Sequence, residues 1–518
     1  MEPPSSAKAE AAMPAPPAPP PHARDQYFRT DDLREGVAGR AIRGGAFTIG
    51  SQASQFIISL LSTMVMARLL TPRDYGLIGM VTVVTGFLTI FKDIGLSRAT
   101  IQRSVLTHDE ASSLFWINGG VGVCIALLTA AIAPVLAKFY GEARLTDITI
   151  ALSCGFLVSG FSVQHQALLR RRMHFGILAV NDVISITLAA LVGITMARER
   201  LSYWAIVGFQ LTFSVSGAML AWVACRWRPS LPKRSTRVRE MLAFGGNITG
   251  FTVLNYFSRN SDDLLIGRIW GSQQLGLYAK AYQLLLFPLN QINLPVGGVA
   301  VPTLSRLVDE PERYRAAFTR TLDKIVMITM PLVMFLLVTA DWLIAVVLGS
   351  QWVGASKIFM WLAIAGFVQP IGYTTGWLFT SQNRTGELLR WGILSSAIAV
   401  TSIAAGVHWG AEGVAKSYGL TSALLTTPLN LWFVGRRGPV RTKDFYVTSA
   451  PFAISALLAG CAVFVFHHFA HPTHELIGLI IGFCITIVVF LGALSLNRAG
   501  RAALKDVIAS LEHLRAPK

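Results

Sequence analysis

Acidic residues are scarce in this chain. Its 518 residues hold 28 Asp and Glu against 45 Lys and Arg, a formal net charge of +17, and only 14% of positions are charged. An average soluble domain has roughly 25% charged residues. With 53% apolar residues besides glycine, a soluble enzyme is a poor fit. The pI near 10.0 suggests nucleic acid only if basic residues cluster with aromatics on a soluble face. Here they sit in short strips between apolar runs of the ~20 residues that a bilayer requires, so no nucleic-acid partner is expected.

Cysteine is nearly as rare: Cys124, Cys154, Cys225, Cys461 and Cys484 are odd in number, far apart and never CxxC, which argues against a disulfide framework or a zinc site. No GxxxxGK[ST] stretch occurs, so ATP hydrolysis is not expected. Long loops that could hold acid–base or metal-binding groups are missing too. The longest, 304–324, carries Asp309, Glu310, Glu312, Arg313 and Arg315 at helical spacing and reads as a solvated amphipathic helix. No catalytic residue, cofactor or metal is therefore expected, and the chain is read as a non-enzyme. His467, His468, His471 and His474 are read as an interfacial turn, with metal binding or pH sensing as the alternative.

What is present is a membrane pattern. Eight of the 23 prolines fall between Pro3 and Pro21 in an Ala-rich stretch that becomes charged toward Arg40. Lacking an apolar core, this stretch is not a cleaved signal, and the first membrane helix is expected to direct insertion. An extended solvated tail is expected there, with a partner-binding arm as the alternative. Fourteen spans follow: 44–67, 76–97, 112–137, 148–168, 175–197, 202–225, 241–265, 275–303, 325–348, 355–380, 390–407, 411–434, 447–467 and 475–497. Lys and Arg are enriched in cytoplasmic loops. An even number of spans with a cytoplasmic N-terminus puts 34 of the 45 on that side, so both termini are expected to be cytoplasmic. Arg170, Arg171 and Arg172 act as topology anchors in this reading.

A shift of 200 residues superimposes 45–77 on 245–277, with Gly45/Gly245, Gly50/Gly250, Arg68/Arg268, Gly76/Gly276 and Leu77/Leu277 coinciding. Both copies describe a membrane helix, an Arg at its outer end, a short turn and a return helix. The expected fold is an all-α integral membrane protein of about fourteen transmembrane helices, built as two six-helix bundles plus two C-terminal helices. Its divisions are a tail (1–43), a first bundle (44–225), a basic linker (226–240), a second bundle (241–434), two extra helices (435–497) and a cytoplasmic tail (498–518). Such repeats place the substrate site between the halves near mid-membrane.

Ionisable residues within spans are costly unless paired or facing a wet cavity. Span 7 is richest, with Asn255, Arg259, Asp262 and Asp263 on one helical face. The corresponding face of span 1 carries Gln55, Ser59, Ser62 and Thr63, polar but uncharged. Arg259 suits a diphosphate, which a guanidinium grips in bidentate fashion; the alternative is a structural ion pair with Asp262 or Asp263. The same aspartates are candidates for a coupling cation. Asn181 and Asp182 in span 5, and Lys92 and Asp93 at the inner end of span 2, are further substrate-binding candidates. Their alternatives are interhelical glue for the first pair and snorkelling for Lys92. Glu412 and Lys416 are expected to satisfy each other. Pro288 and Pro295 in span 8 and Pro370 in span 10 mark helices expected to bend.

The stretches ARLLTPRDYGLIGM (67–80), FKDIGLSRATIQR (91–103), LFWIN (114–118), QALLRRRMHF (166–175), SRNSDDLLIGRIWGSQQLGLYAKAYQL (258–284) and VPTLSRL (301–307) resemble, in combination, the polysaccharide flippases of the multidrug/oligosaccharidyl-lipid/polysaccharide exporter superfamily, in particular the colanic-acid-exporter-like, Wzx-type branch. The resemblance covers 40–435 well and 436–497 by helix count. It implies that undecaprenyl-diphosphate-linked oligosaccharide is moved across the bacterial inner membrane by cation-coupled alternating access, for exopolysaccharide or lipopolysaccharide synthesis. Membrane lipids, and a polysaccharide polymerase or export machinery, are the partners implied. It also implies roles in the cavity or its gating for Arg259, Asn260 and Asp263. The family shows one Asp after an Asn and a spacer; here Asp262 and Asp263 both follow Ser261, which leaves two candidates for the equivalent position. The long Pro-rich N-terminus departs from the pattern. A multidrug exporter of the same superfamily and a membrane enzyme of polysaccharide assembly are the alternatives.

Overall fold

The computed structural model of the protein describes residues 37–92, 97, 100, 101, 106–231, 256–470, 474–497 and 500–506. Asp93, Asn255, His471, the Pro-rich tail to residue 36, most of the basic linker and the first part of span 7 lie outside the described residues. Among the described residues all regular structure is helical. In chain order the first helices are α1 (Val37–Leu69), α2 (Pro72–Thr89), α3 (His108–Tyr140), α4 (Arg144–Gly160), α5 (Val163–Arg171), α6 (Phe175–Arg198) and α7 (Trp204–Cys225). There follow α8 (Ser261–Arg306), α9 (Pro311–Val338), α10 (Ala340–Val347), α11 (Gly354–Ser381), α12 (Thr385–Gly406), α13 (Gly410–Thr421), α14 (Thr427–Gly435), α15 (Thr442–Phe469) and α16 (Glu475–Leu496).

The chain is a multi-pass membrane protein. Ten segments of the described residues are long and apolar enough to cross a bilayer. One of them, Thr385–Gly435, contains two expected spans, and another, Ser261–Arg306, contains the whole of span 8 with the last residues of span 7. Helices α1 and α2 stand at the first two expected spans without being among the ten, an arrangement compatible with fourteen crossings.

Local chemistry sets the helix ends. Thr71 and Asp74 form a capping box at α2, with Pro72 in the first turn where its missing N–H costs nothing. Thr107 and Glu110 repeat the device at α3, which ends on Gly141 in the left-handed region at φ 72°. Span 2 is shorter than expected, its helix ending at Thr89 instead of continuing to 97. The expected amphipathic segment in 304–324 is the N-terminal part of α9, and it buries Tyr314, Phe318 and Leu322 against the protein.

Pro288, Pro295 and Pro302 are accommodated within α8, whose discontinuity is Gly271, at φ 77° and ψ −177°. That conformation is open to glycine and strained for other residues. It divides α8 into 261–270 and 272–306, the C-terminal end of span 7 and the whole of span 8. A second irregularity, a π-helical turn at Ser422–Thr426, joins α13 to α14. Pro428 lacks the N–H that the Leu424 carbonyl needs four residues earlier, which accounts for the local rewinding.

Packing couples the two copies of the repeat directly. Helix α2 lies along α8, α1 along α6, and α9 along α15. One core cluster contains Leu77, Tyr278, Trp352 and Leu362 together, so residues from both repeats share one interior. At the turn after α1, Trp352 Nε1 donates to the Ala67 carbonyl at 2.8 Å, Gln351 Nε2 to the Leu70 carbonyl at 2.8 Å, and an Arg68 guanidinium nitrogen to the Val346 carbonyl at 2.7 Å. Glu412 and Lys416 do not form the expected pair: Lys416 Nζ lies 5.1 Å from the centroid of the Trp361 ring.

Candidate functional site

Span 7 is interrupted within its polar motif. Residues 256–259 are helical, Asn260 is not (φ −118°, ψ 12°), and α8 starts at Ser261. Asn260 Nδ2 turns back to the Tyr256 carbonyl at 2.8 Å. Asp262 and Asp263 thus occupy the first turn of a helix, where its dipole favours negative charge. Asp262 is buried; it accepts from the Tyr278 hydroxyl at 2.7 Å and from the Asp263 amide at 3.0 Å.

Arg259, Asn260, Asp262 and Asp263 line a cavity of about 590 Å³. Its other walls come from spans 8, 10, 11 and 12, including Tyr282, Asn293, Gln369, Ser402, Tyr418 and Ser422. Arg259 is exposed to it. Among the described residues Arg259 makes no ion pair with either aspartate, although its charge acts on Asp262, Tyr282 and Tyr418. It lies within the expected span 7, just before the helix break at Asn260. Asn293 is 5% exposed, and its Oδ1 has no hydrogen-bond donor. A buried acceptor of that kind calls for water or a ligand hydroxyl.

This cavity is enclosed by residues 258–426 alone, all from the second repeat, and not between the halves as expected. A separate cavity, also about 590 Å³, does lie between them, lined by Gln52, Gln55 and Ser59 of span 1, Ile186 of span 5 and Phe287 and Gln291 of span 8. It carries amides and hydroxyls without charge. Span 8 is the partition, with Leu289, Asn290 and Asn293 on one side and Phe287, Gln291 and Leu294 on the other.

The remaining sequence candidates are elsewhere. Asn181 is buried, its Nδ2 donating to the Gly217 carbonyl at 3.2 Å and its Oδ1 accepting from Ser185 at 3.2 Å, so it ties span 5 to span 6. Asp182 is exposed and Lys92 half-buried at the end of span 2; neither lines the Arg259 cavity. His467 faces Asp341 at 2.9 Å, and no metal-binding cluster is found among the described residues. Asn293, Tyr282, Tyr418 and Ser422 were missed by sequence reasoning. For Ser422 a signal existed in Pro428, which disturbs the helix one turn before it; for the tyrosines none did, because aromatic residues in spans are usually packing.

The family described as polysaccharide biosynthesis protein matches residues 65–357, more than half of the chain. The protein belongs to that family. It is 23% identical over 376 residues to the lipopolysaccharide biosynthesis protein WzxC of Escherichia coli K12, covering 71% of this chain and 76% of that one. It is 24% identical over 458 residues to the succinoglycan biosynthesis transport protein ExoT of Rhizobium meliloti, covering 86% and 91%. In fold it is similar to the lipid II flippase MurJ in an inward closed conformation, with a TM-score of 0.70 at 14% identity over 87% of this chain and 98% of that one.

Proposed function

We propose that this member of the polysaccharide biosynthesis family is a flippase, not an enzyme. It carries undecaprenyl-diphosphate-linked oligosaccharide from the cytoplasmic to the outer leaflet of a bacterial inner membrane, with both termini cytoplasmic. The observation that carries this reading is the exposed guanidinium of Arg259, which makes no ion pair among the described residues, in a cavity whose walls also bear Asp262, Asp263 and a set of amides and hydroxyls. A cation held there costs several kcal/mol unless water or an anion meets it. A diphosphate meets it with two parallel hydrogen bonds, and the surrounding Asn, Gln, Ser and Tyr groups suit sugar hydroxyls. The relatives with transport and lipopolysaccharide names support the same class of cargo.

In this reading the halves 44–225 and 241–434 rock about their contact, with 226–240 as the linker, 435–497 as two accessory helices and 1–43 and 498–518 as cytoplasmic tails. The reciprocal packing of the two repeats supports that division. Asp262 and Asp263 are the sites of a coupling cation, whose movement across the membrane is worth ~2.3 kcal/mol per 100 mV. Asn255, Asp182, Lys92 and Asp93 have supporting roles in substrate binding, Asn181 joins span 5 to span 6, and a polymerase or export complex receives the product.

The test is complementation of a strain lacking its own exopolysaccharide flippase, with the wild-type chain and with Arg259→Ala. Export by the wild type, with lipid-linked precursor accumulating in a normally expressed Arg259→Ala strain, is the expected result. Full export by the variant returns Arg259 to a structural role. Drug resistance without restored export would favour the multidrug-exporter alternative.

A further inference from the structure

Lys280 lies in the contact between the two repeats, buried to 9% exposure. Its Nζ is 4.1 Å from the centroid of the Tyr75 ring and donates to Gln283 Oε1 at 3.0 Å; among the described residues it has no carboxylate partner. Tyr75 belongs to α2, the helix of span 2, and Lys280 to span 8, so the pair bridges the halves. Asp74, next to Tyr75 in the sequence, and the buried Asp262 are engaged elsewhere. Asp74 caps α2 through Thr71 and accepts from Ser202, and Asp262 is held by Tyr278.

An ammonium taken into this interior gives up its hydration, and one cation–π contact with one hydrogen bond to a neutral amide returns only part of it. Packing does not demand a charge there. Under the 200-residue shift Lys280 falls on Met80, which is fully buried and fills the corresponding place with an apolar chain of similar length. The charge therefore opposes the very contact in which it sits.

We infer that Lys280 is a charge stored in a closed outer gate. Burying its ammonium against Tyr75 destabilises the state in which spans 2 and 8 meet, and their separation rehydrates Nζ, so Lys280 drives the protein toward outward opening. The inference rests on the proposed flippase topology only for direction, namely that the Gly271 end faces outside.

The test uses the full-length chain with its five cysteines replaced by Ala and a Ser272→Cys reporter buried in the gate, labelled by a membrane-impermeant maleimide in right-side-out and inverted vesicles. Lys280→Met is expected to slow labelling from outside at least tenfold, Tyr75→Leu to speed it, and Lys280→Arg to leave it within about twofold. A second reporter, Ser59→Cys in the cavity between the halves, stays reactive from the cytoplasmic side in Lys280→Met, which separates closure from misfolding. Labelling of Lys280→Met at the parent rate or faster overturns the inference, because Lys280 would then be inert or a tether. The same ordering of variants, seen only from the cytoplasmic side, upholds the stored charge and overturns the topology.

Discussion

Gly76 and Gly276 occupy equivalent places in the repeat and make the same contact in opposite directions. A Cβ on Gly76 would fall 1.7 Å from the Ser272 carbonyl oxygen, and a Cβ on Gly276 would fall 1.8 Å from the Pro72 carbonyl oxygen. Ser272 and Pro72 are themselves 200 residues apart. The arrangement is isologous, as at the two-fold axis of a dimer, where residue i meets j and j meets i. Span 2 and span 8 therefore touch backbone to backbone, an approach that small residues make possible between membrane helices.

Gly76→Ala and Gly276→Ala are each expected to force these helices apart and destabilise the protein by about 1–3 kcal/mol, the usual range for overpacking. Gly50→Ala, with nothing within 4 Å of the added methyl, is expected to leave stability within about 0.5 kcal/mol. Thermal unfolding of the three detergent-purified variants checks the contrast; equal Tm values would sink the reciprocal contact.

The aspartates are expected to separate into structure and function. Tyr278→Phe leaves the buried Asp262 oxygen without its donor and should cost about 1–3 kcal/mol of stability. Asp263→Asn removes a charge from the cavity wall and should leave Tm nearly unchanged while slowing transport. Parallel measurements of unfolding and of flipping in proteoliposomes decide this, and a large Tm loss in Asp263→Asn would count against it.

Asn293→Leu is expected to raise stability by about 1 kcal/mol, because it replaces a buried, unsatisfied acceptor with an apolar chain of similar volume. It should slow transport of the oligosaccharide at the same time. A variant that gains stability and keeps the full flipping rate would show that Oδ1 has no part in the cavity's work.

Glu142, in the turn between α3 and α4, holds Arg144 at 2.9 Å and Arg73 at 3.1 Å. Burial pushes its carboxyl up, and the hydrogen bonds and charges of Arg144 and Arg73 outweigh this and hold it below the ordinary glutamate value of 4.5. A lowered folded-state value means that the clasp contributes fully above pH 4.5 and is lost as pH falls through the lower value. Because Arg73 is 56% exposed, the contribution is about 0–1 kcal/mol. Comparing Tm for wild type and Glu142→Gln across pH 3–7, the gap is expected to close at the acid end; a constant gap would show that the carboxylate charge is irrelevant.

The helical membrane fold was legible because apolar runs and basic strips follow from the bilayer itself, whatever the helices do to one another. Span ends were read to within a few residues at Phe175–Arg198 and Glu475–Leu496. They were misread at Thr89, where a short helix ends inside an apolar stretch. The motif around Arg259 was legible as charge in the wrong solvent. Its companions Asn293 and Tyr418 were not, because a polar residue on a membrane helix reads alike whether it glues two helices, as Asn181 does, or faces a cavity.

The sequence by itself determined that this chain crosses a membrane many times, repeats a helix–turn–helix unit after 200 residues, and carries an arginine and two aspartates where lipid tails would repel them. Each of these is a local property of composition and period, set by the cost of exposing polar groups to hydrocarbon. Only the tertiary structure decided that Arg259 opens into a cavity within the second half, that Gly76 and Gly276 bring the halves into contact, and that Lys280 is covered by Tyr75. Those relationships depend on which faces of distant helices meet, and packing between residues 200 positions apart leaves no periodic trace in either segment.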